Sequence, residues 1–229
     1  MNLLSDFIAL IFPKICAACG NSLWKHEEII CTFCDFHLPK TDFHLEQDNP
    51  VSRTFWGRAG IESATAYCWF NKGNKVQRLV HLLKYKGRKD IGIFFGERLG
   101  RLLKNAPCFN TVEMIIPVPL HKKKLMKRGY NQSEQFAIGI GKAMDIPVNP
   151  YILSRRRSTE TQTRKSRFHR WQNVSDMFAL EDEFQLEGRH ILLVDDVITT
   201  GATMESCLQA LSSVPGIKIS IAAIAITQH

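Results

Sequence analysis

The segment HILLVDDVITTGATMES, residues 190–206, limits the possible folds of this chain more than any other. Its apolar residues run without alternation, as in a strand buried on both faces of a helix-covered parallel sheet. Leu192, Leu193 and Val194 form the buried part, and Asp195 and Asp196 are expected to emerge at the carboxyl end of the strand. In open parallel sheets that edge is where ligands sit. Two adjacent carboxylates there can accept hydrogen bonds from a vicinal diol, such as the 2- and 3-hydroxyls of a ribose, or face a divalent cation. Thr199, Thr200, Gly201, Ala202 and Thr203 then lead into a helix whose first amides and dipole favour an anion. Gly201 permits unusual dihedrals, and the threonine hydroxyls can donate to phosphate. Read in order, the stretch is a holder for a ribose 5-phosphate, with the diol at one end and the phosphate at the other. A capped strand-to-helix turn with no ligand is the alternative, since threonine also caps helices.

The flanking sequence agrees with such a sheet. Strands are expected over 64–70, 114–119, 190–196 and 217–227, and helices over 75–87, 91–105, 203–213 and after Asn131. This alternation implies an α/β fold, a mostly parallel sheet with helices on both faces. Residues 39–58 are polar, hold two prolines and lack periodicity, so they read as a connection with a boundary near residue 50. The expected units are thus 1–50 and 51–229. Leu3, Leu4, Phe7, Ile8 and Ile11 lie at helical spacing, which reads as a short amphipathic helix packing on its own protein rather than a targeting segment. No run is long and apolar enough to span a membrane, and a cytoplasmic chain is expected.

Two pairs of cysteines stand in that first unit: CAAC at Cys16 and Cys19, and CTFC at Cys31 and Cys34, with eleven residues between them. Paired C-x-x-C knuckles supply four thiolates to one tetrahedral ion, which suits zinc. Disulfides or a redox pair are the alternatives, but a cytosolic setting disfavours the first and the second needs one pair only. Four thiolates leave no open position for water, so the zinc site would be structural. Cys68, Cys108 and Cys207 sit in apolar settings and read as inert core thiols.

The net charge of +8 is local. Residues 122–128 carry +5 and residues 155–170 carry +6, so the rest of the chain is slightly acidic. Such local excess points to phosphates or nucleic acid. The second block interleaves Arg164, Arg167, His169 and Arg170 with Phe168 and Trp171, which suits a single strand, a mobile lid over a phosphorylated substrate, or an ordinary surface hairpin.

The 190–206 segment resembles the signature of type I phosphoribosyltransferases, which bind phosphoribosyl pyrophosphate (PRPP). Together with the two cysteine knuckles, LLKYKG at 82–87, IIPVPLHKKKLMKRGYNQSEQFA at 115–137 and the 155–178 block, the chain is similar to the ComF family. These are competence-associated proteins with an amino-terminal zinc ribbon and a phosphoribosyltransferase domain. The resemblance implies PRPP with magnesium at Asp195, Asp196 and the 199–203 loop, the two aspartates being the catalytic candidates. It implies pyrophosphate or DNA contacts at Val118, Pro119, Arg128, Asn131, Arg164 and Arg167. Tyr130 is then free to stack on a base, and Asn131 to cap the next helix. Lys84 and Tyr85 are open between a ligand role and ordinary snorkelling packing. Single-stranded DNA and competence proteins are the implied partners. Many members carry further cysteines after the second knuckle; this chain has none before Cys68, which speaks against a second metal site. Nothing in the sequence identifies an acceptor base, so a transferase, a DNA-handling protein and a non-catalytic PRPP sensor all remain open.

Overall fold

The computed structural model describes residues 13–156 and 177–228. The amphipathic stretch before Pro13 and most of the 155–178 block, including Arg164 and Arg167, lie outside the described residues. The strands are β1 (Ser63–Phe70), β2 (Met114–Pro117), the short antiparallel pair β3 (Leu153–Arg155) and β4 (Phe178–Leu180), β5 (His190–Ile198) and β6 (Lys218–Thr227). The four longer ones form one parallel sheet in the order β1-β6-β5-β2. The helices are α1 (Thr32–Phe36), α2 (Pro50–Phe55), α3 (Lys75–Tyr85), α4 (Lys89–Leu103), α5 (Lys122–Arg128), α6 (Gln132–Met144) and α7 (Ala202–Leu211).

The unbroken apolar run of β5 is explained by two cores, one on each face. Leu192 and Val194 pack with residues of α3, α4 and α6, whereas Ile191 and Leu193 pack with residues of α2, α7 and the β3-β4 pair. Helices α4 and α6 lie backbone to backbone. A Cβ on Gly96 would overlap the Phe136 carbonyl, and this contact seats the start of α6 beside the sheet edge.

The segment read as a polar connection is built into the fold. Trp69 N–H donates to the Pro39 carbonyl at 2.8 Å and Thr41 N–H to the Tyr67 carbonyl at 3.0 Å, so residues 39–41 cover the free edge of β1. Asn49 caps α2 by accepting from Val51 and Ser52, and Val51 and Phe55 are fully buried. Periodicity could not reveal a six-residue helix, because only one turn and a half carries the signal. α5 is likewise a short helix within the basic run, capped by His121, with no buried residue. β5 runs two residues past the expected end, through Ile198, because β6 continues beside it to Ile226 and supplies the pairing. Among the described residues, no helix is long and apolar enough to cross a membrane.

Candidate functional site

The acids lie within β5 rather than beyond its end. Strand alternation turns them to opposite faces, Asp195 following Ile191 and Leu193, Asp196 following Leu192 and Val194. The two carboxylates therefore do not stand side by side on one face. Both still open into one cleft, because β2 stops at Pro117 opposite Val194 and leaves that edge of β5 unpaired. The cleft, about 320 Å³, is lined by both acids together with Lys84, Val118, Pro119, Lys124, Arg128, Asn131, Ser133, Arg155 and Thr203. Asp195 Oδ1 accepts from Ser133 Oγ at 2.7 Å and from the Asp196 N–H at 2.8 Å. Asp196 Oδ1 pairs with Lys84 Nζ at 2.8 Å. Among the described residues, Oδ2 of each acid makes no such contact. Burial, with the Asp196 charge beside it, pushes the Asp195 carboxyl up to about 7.

The loop beyond the acids keeps its helix start open. Gly201 is the residue before α7, at φ +78°, and has no side chain to cap the helix; the nearest side-chain acceptor is Thr200 Oγ1, 3.5 Å from the Ala202 N–H. Thr199 and Thr200 are exposed, and a hollow of about 40 Å³ is ringed by Asp195 and residues 197–204. Gly201 is required twice. Its φ lies in the left-handed region, and a Cβ there would stand 2.8 Å from Thr54 Cγ2 and 3.1 Å from Phe55 Cε1. Helix α2 is thus the back wall of the loop, a role that no signal in residues 39–58 announced. Arg58 adds a 3.4 Å hydrogen bond to the Thr200 carbonyl.

The other motifs meet across the cleft. Asn131 caps α6 through the Ser133 N–H and donates from Nδ2 to the Val118 carbonyl at 2.9 Å, which fixes the loop after β2. Gly129, at φ +76°, ends α5. Tyr130 does not stack on a base: it is buried, its hydroxyl donates to the Leu83 carbonyl, and Lys89 Nζ lies over its ring at 5.1 Å. Arg128 donates to Gln132 Oε1 at 2.6 Å and stacks over the Tyr85 ring at 5.1 Å. The LLKYKG and RGYNQ stretches therefore clasp each other, and the clasp aims Lys84 at Asp196. Ser133 carried no sequence signal of its own, and Arg155 only that of its basic block; both line the cleft through their neighbours in the fold.

The four knuckle sulfurs all lie within 4.8 Å of one another. Gly20, at φ +86°, makes the first turn, its N–H donating to the Cys16 carbonyl at 2.8 Å, and Cys31 opens α1 so that Cys34 returns to the same point. The Cys19 and Cys31 sulfurs are 3.8 Å apart. A tetrahedral ion with metal–sulfur bonds of about 2.3 Å has sulfurs about 3.8 Å apart. Against the upward push of burial, N–H groups of Cys31, Cys19 and Ala18 draw the Cys16 thiol down to about 6. Burial and the neighbouring thiols drive Cys34 up to about 12. Four thiolates together therefore need a cation, and the cluster can hold a metal such as zinc. Cys16, Cys34, Ile29 and Ile30 belong to the same core as Tyr67, Val76 and Leu79. All seven cysteines are free thiols; Cys68 and Cys207 are fully buried, and Cys108 is half-buried and packs against the edge of the first core.

With this geometry in view, the comparisons are coherent. The phosphoribosyl transferase domain model matches residues 130–228, which hold α6, β5, the loop and α7. Fold and cleft thus define a phosphoribosyltransferase-type domain with a four-cysteine lobe attached. The DNA utilization protein YhgH of Escherichia coli O157:H7 is 28% identical over 89% of this chain and 86% of its own length. Competence protein F of Haemophilus influenzae is 39% identical over 43% of this chain and 44% of its own, and competence protein ComFC of Bacillus subtilis is 25% identical over 86% and 78%. These relatives and the domain model together support a ComF-family protein of the phosphoribosyltransferase fold.

Proposed function

We propose that the chain binds PRPP, with magnesium, in the cleft between α3, α6 and the β5-α7 loop, as a cytoplasmic protein whose cysteine lobe holds structural zinc. The observation that carries this reading is the uncapped start of α7 opening beside two carboxylates that each keep an oxygen free for a ligand. The 199–203 loop, with its threonine hydroxyls and first helical amides, takes the 5-phosphate. Asp195 and Asp196 accept from the ribose hydroxyls. Val118 and Pro119 form the wall along the diphosphate, and Lys124 and Arg128 face its charge. The carboxylate oxygens of Asp195 and Asp196 are the ones that would hold magnesium, which supplies charge neutralisation to the departing diphosphate when bound. In a transfer reaction the same acids would stabilise positive charge developing on the ribose ring as the bond to pyrophosphate breaks.

A second reading rests on α5, whose five cations lie on a helix with no buried residue at the rim of the cleft. That surface suits the backbone of a single DNA strand. Titration calorimetry with PRPP and magnesium, with and without a short oligonucleotide, tests both. Saturable PRPP binding, lost in Asp195→Asn, is expected. Oligonucleotide binding that weakens steeply with salt and leaves PRPP binding intact would place DNA on α5 alone. Absence of PRPP binding by the zinc-loaded protein would sink the first reading.

A further inference from the structure

We propose that Lys84 is the resident cation of the sugar-phosphate site: its ammonium neutralises Asp196 in the free protein, so that a divalent ion enters only together with a diphosphate ligand. The inference deepens the PRPP reading and rests on it for the identity of the ligand. Its first support is the contact itself. Lys84 Nζ stands 2.8 Å from Asp196 Oδ1, with side-chain exposures of 23% and 11%, so the pair is largely shielded from water. Such a pair is far less screened than the surface pairs of this chain, for instance Arg53 with Asp48 at exposures of 57% and 56%.

The second support is how Lys84 is held. It is the penultimate residue of α3, a helix anchored by buried Val76, Leu79, Val80 and Leu83. The Leu83 carbonyl, one residue back, receives the Tyr130 hydroxyl. The clasp fixes the root of the side chain, and the ammonium reaches into the cleft. The third support is the division of labour among the cations of the cleft. Lys124, Arg128 and Arg155 have no carboxylate partner among the described residues, whereas Lys84 does. Three cations are therefore disposed to meet an anionic ligand, and one is committed to the acids before the ligand arrives.

Without Lys84 the two adjacent carboxylates would repel a diphosphate and attract a free metal ion. With it, Asp196 is balanced, and the metal gains its place only when the ligand's own phosphate oxygens complete its coordination. No bond is made or broken; the step is an exchange of one counter-ion for another.

Lys84→Gln and Lys84→Arg, both zinc-loaded and checked for unchanged thermal unfolding, separate the alternatives. Manganese binding to the protein without PRPP, read by electron paramagnetic resonance, is expected to be about tenfold tighter or more in Lys84→Gln than in the parent or in Lys84→Arg. That gain disappears when Asp196→Asn is added. Metal-free PRPP affinity is expected to fall about tenfold in Lys84→Gln and to recover at saturating magnesium. Manganese affinity that does not change in Lys84→Gln would overturn the proposal. So would a loss of PRPP affinity that magnesium does not repair, because Lys84 would then be an ordinary ligand contact. The manganese arm uses no PRPP, so it stands even if the PRPP reading fails.

Discussion

The cysteine lobe and the acid-lined cleft are both sites of concentrated negative charge, yet they are built in opposite ways. The lobe turns every sulfur inward, all four within 4.8 Å, and four thiolates around one ion would leave no open coordination position. The cleft holds its acids apart on two faces of one strand, balances one of them with Lys84, and keeps a helix start uncapped. The first arrangement suits a permanent ion that contributes folding energy. The second suits a ligand that comes and goes, since the site already has a state in which its charges are met. A closed cage can be spelled by neighbours in the chain; an open one needs walls supplied from elsewhere.

The contrast is tested most severely at Cys34. Because this residue lies in the same core as Tyr67 and Leu79, Cys34→Ser or removal of the metal should cost several kcal/mol and not merely loosen a separate appendage. Thermal unfolding with a colorimetric zinc assay checks this, and an unchanged melting temperature in metal-free protein would break the structural reading. Gly201→Ala comes next. The strain of a positive φ and the overlap with Thr54 and Phe55 should cost about 2 kcal/mol, and PRPP affinity should fall about tenfold or more. Ligand titration and denaturant unfolding on the same variant measure the two effects.

Asp195→Asn should move stability the other way. A carboxyl with its folded value near 7 and an ordinary value of 3.8 favours the folded state while protonated, and that contribution is lost as pH rises between the two. The parent should therefore lose about 2–3 kcal/mol from pH 5 to 8, and the variant should lose less while no longer binding PRPP. Melting temperatures across that range decide it; parallel curves would mean that Asp195 is not held protonated by its surroundings. Tyr130→Phe is the mildest change. Losing the hydroxyl from the Leu83 carbonyl should cost about 1 kcal/mol, and the slackened clasp should weaken PRPP binding by a few-fold at most. A variant without any effect on stability would show that the clasp holds through packing alone.

Much of this was legible in the residues. The knuckles could be read because two intervening residues place both sulfurs of a pair on one turn. The strand end and helix start around Asp195 to Thr203 could be placed because strand, acids and small-residue loop follow one another without a gap. Asn131 as a cap and Gly129 as a helix end followed from local conformational preference alone. The opposed directions of the two acids were implicit in strand periodicity, but only the pairing with β6 extends the strand far enough to enforce them. Tyr130 misled because an aromatic beside an arginine looks the same in a sequence whether it faces a base or a carbonyl in its own core.

Contacts between distant parts of the chain were beyond such reading. Ser133 meets Asp195 across 62 positions and Tyr130 meets Leu83 across 47. Lys84 reaches Asp196, and α2 backs the Gly201 loop, only because the sheet order brings their helices to one edge. Spacing along a chain encodes what one turn of backbone can gather. Which acid is neutralised, which cation lacks a carboxylate partner and what walls the 199–203 loop depend on packing, where a partner is chosen by shape and burial and leaves no mark at either position alone.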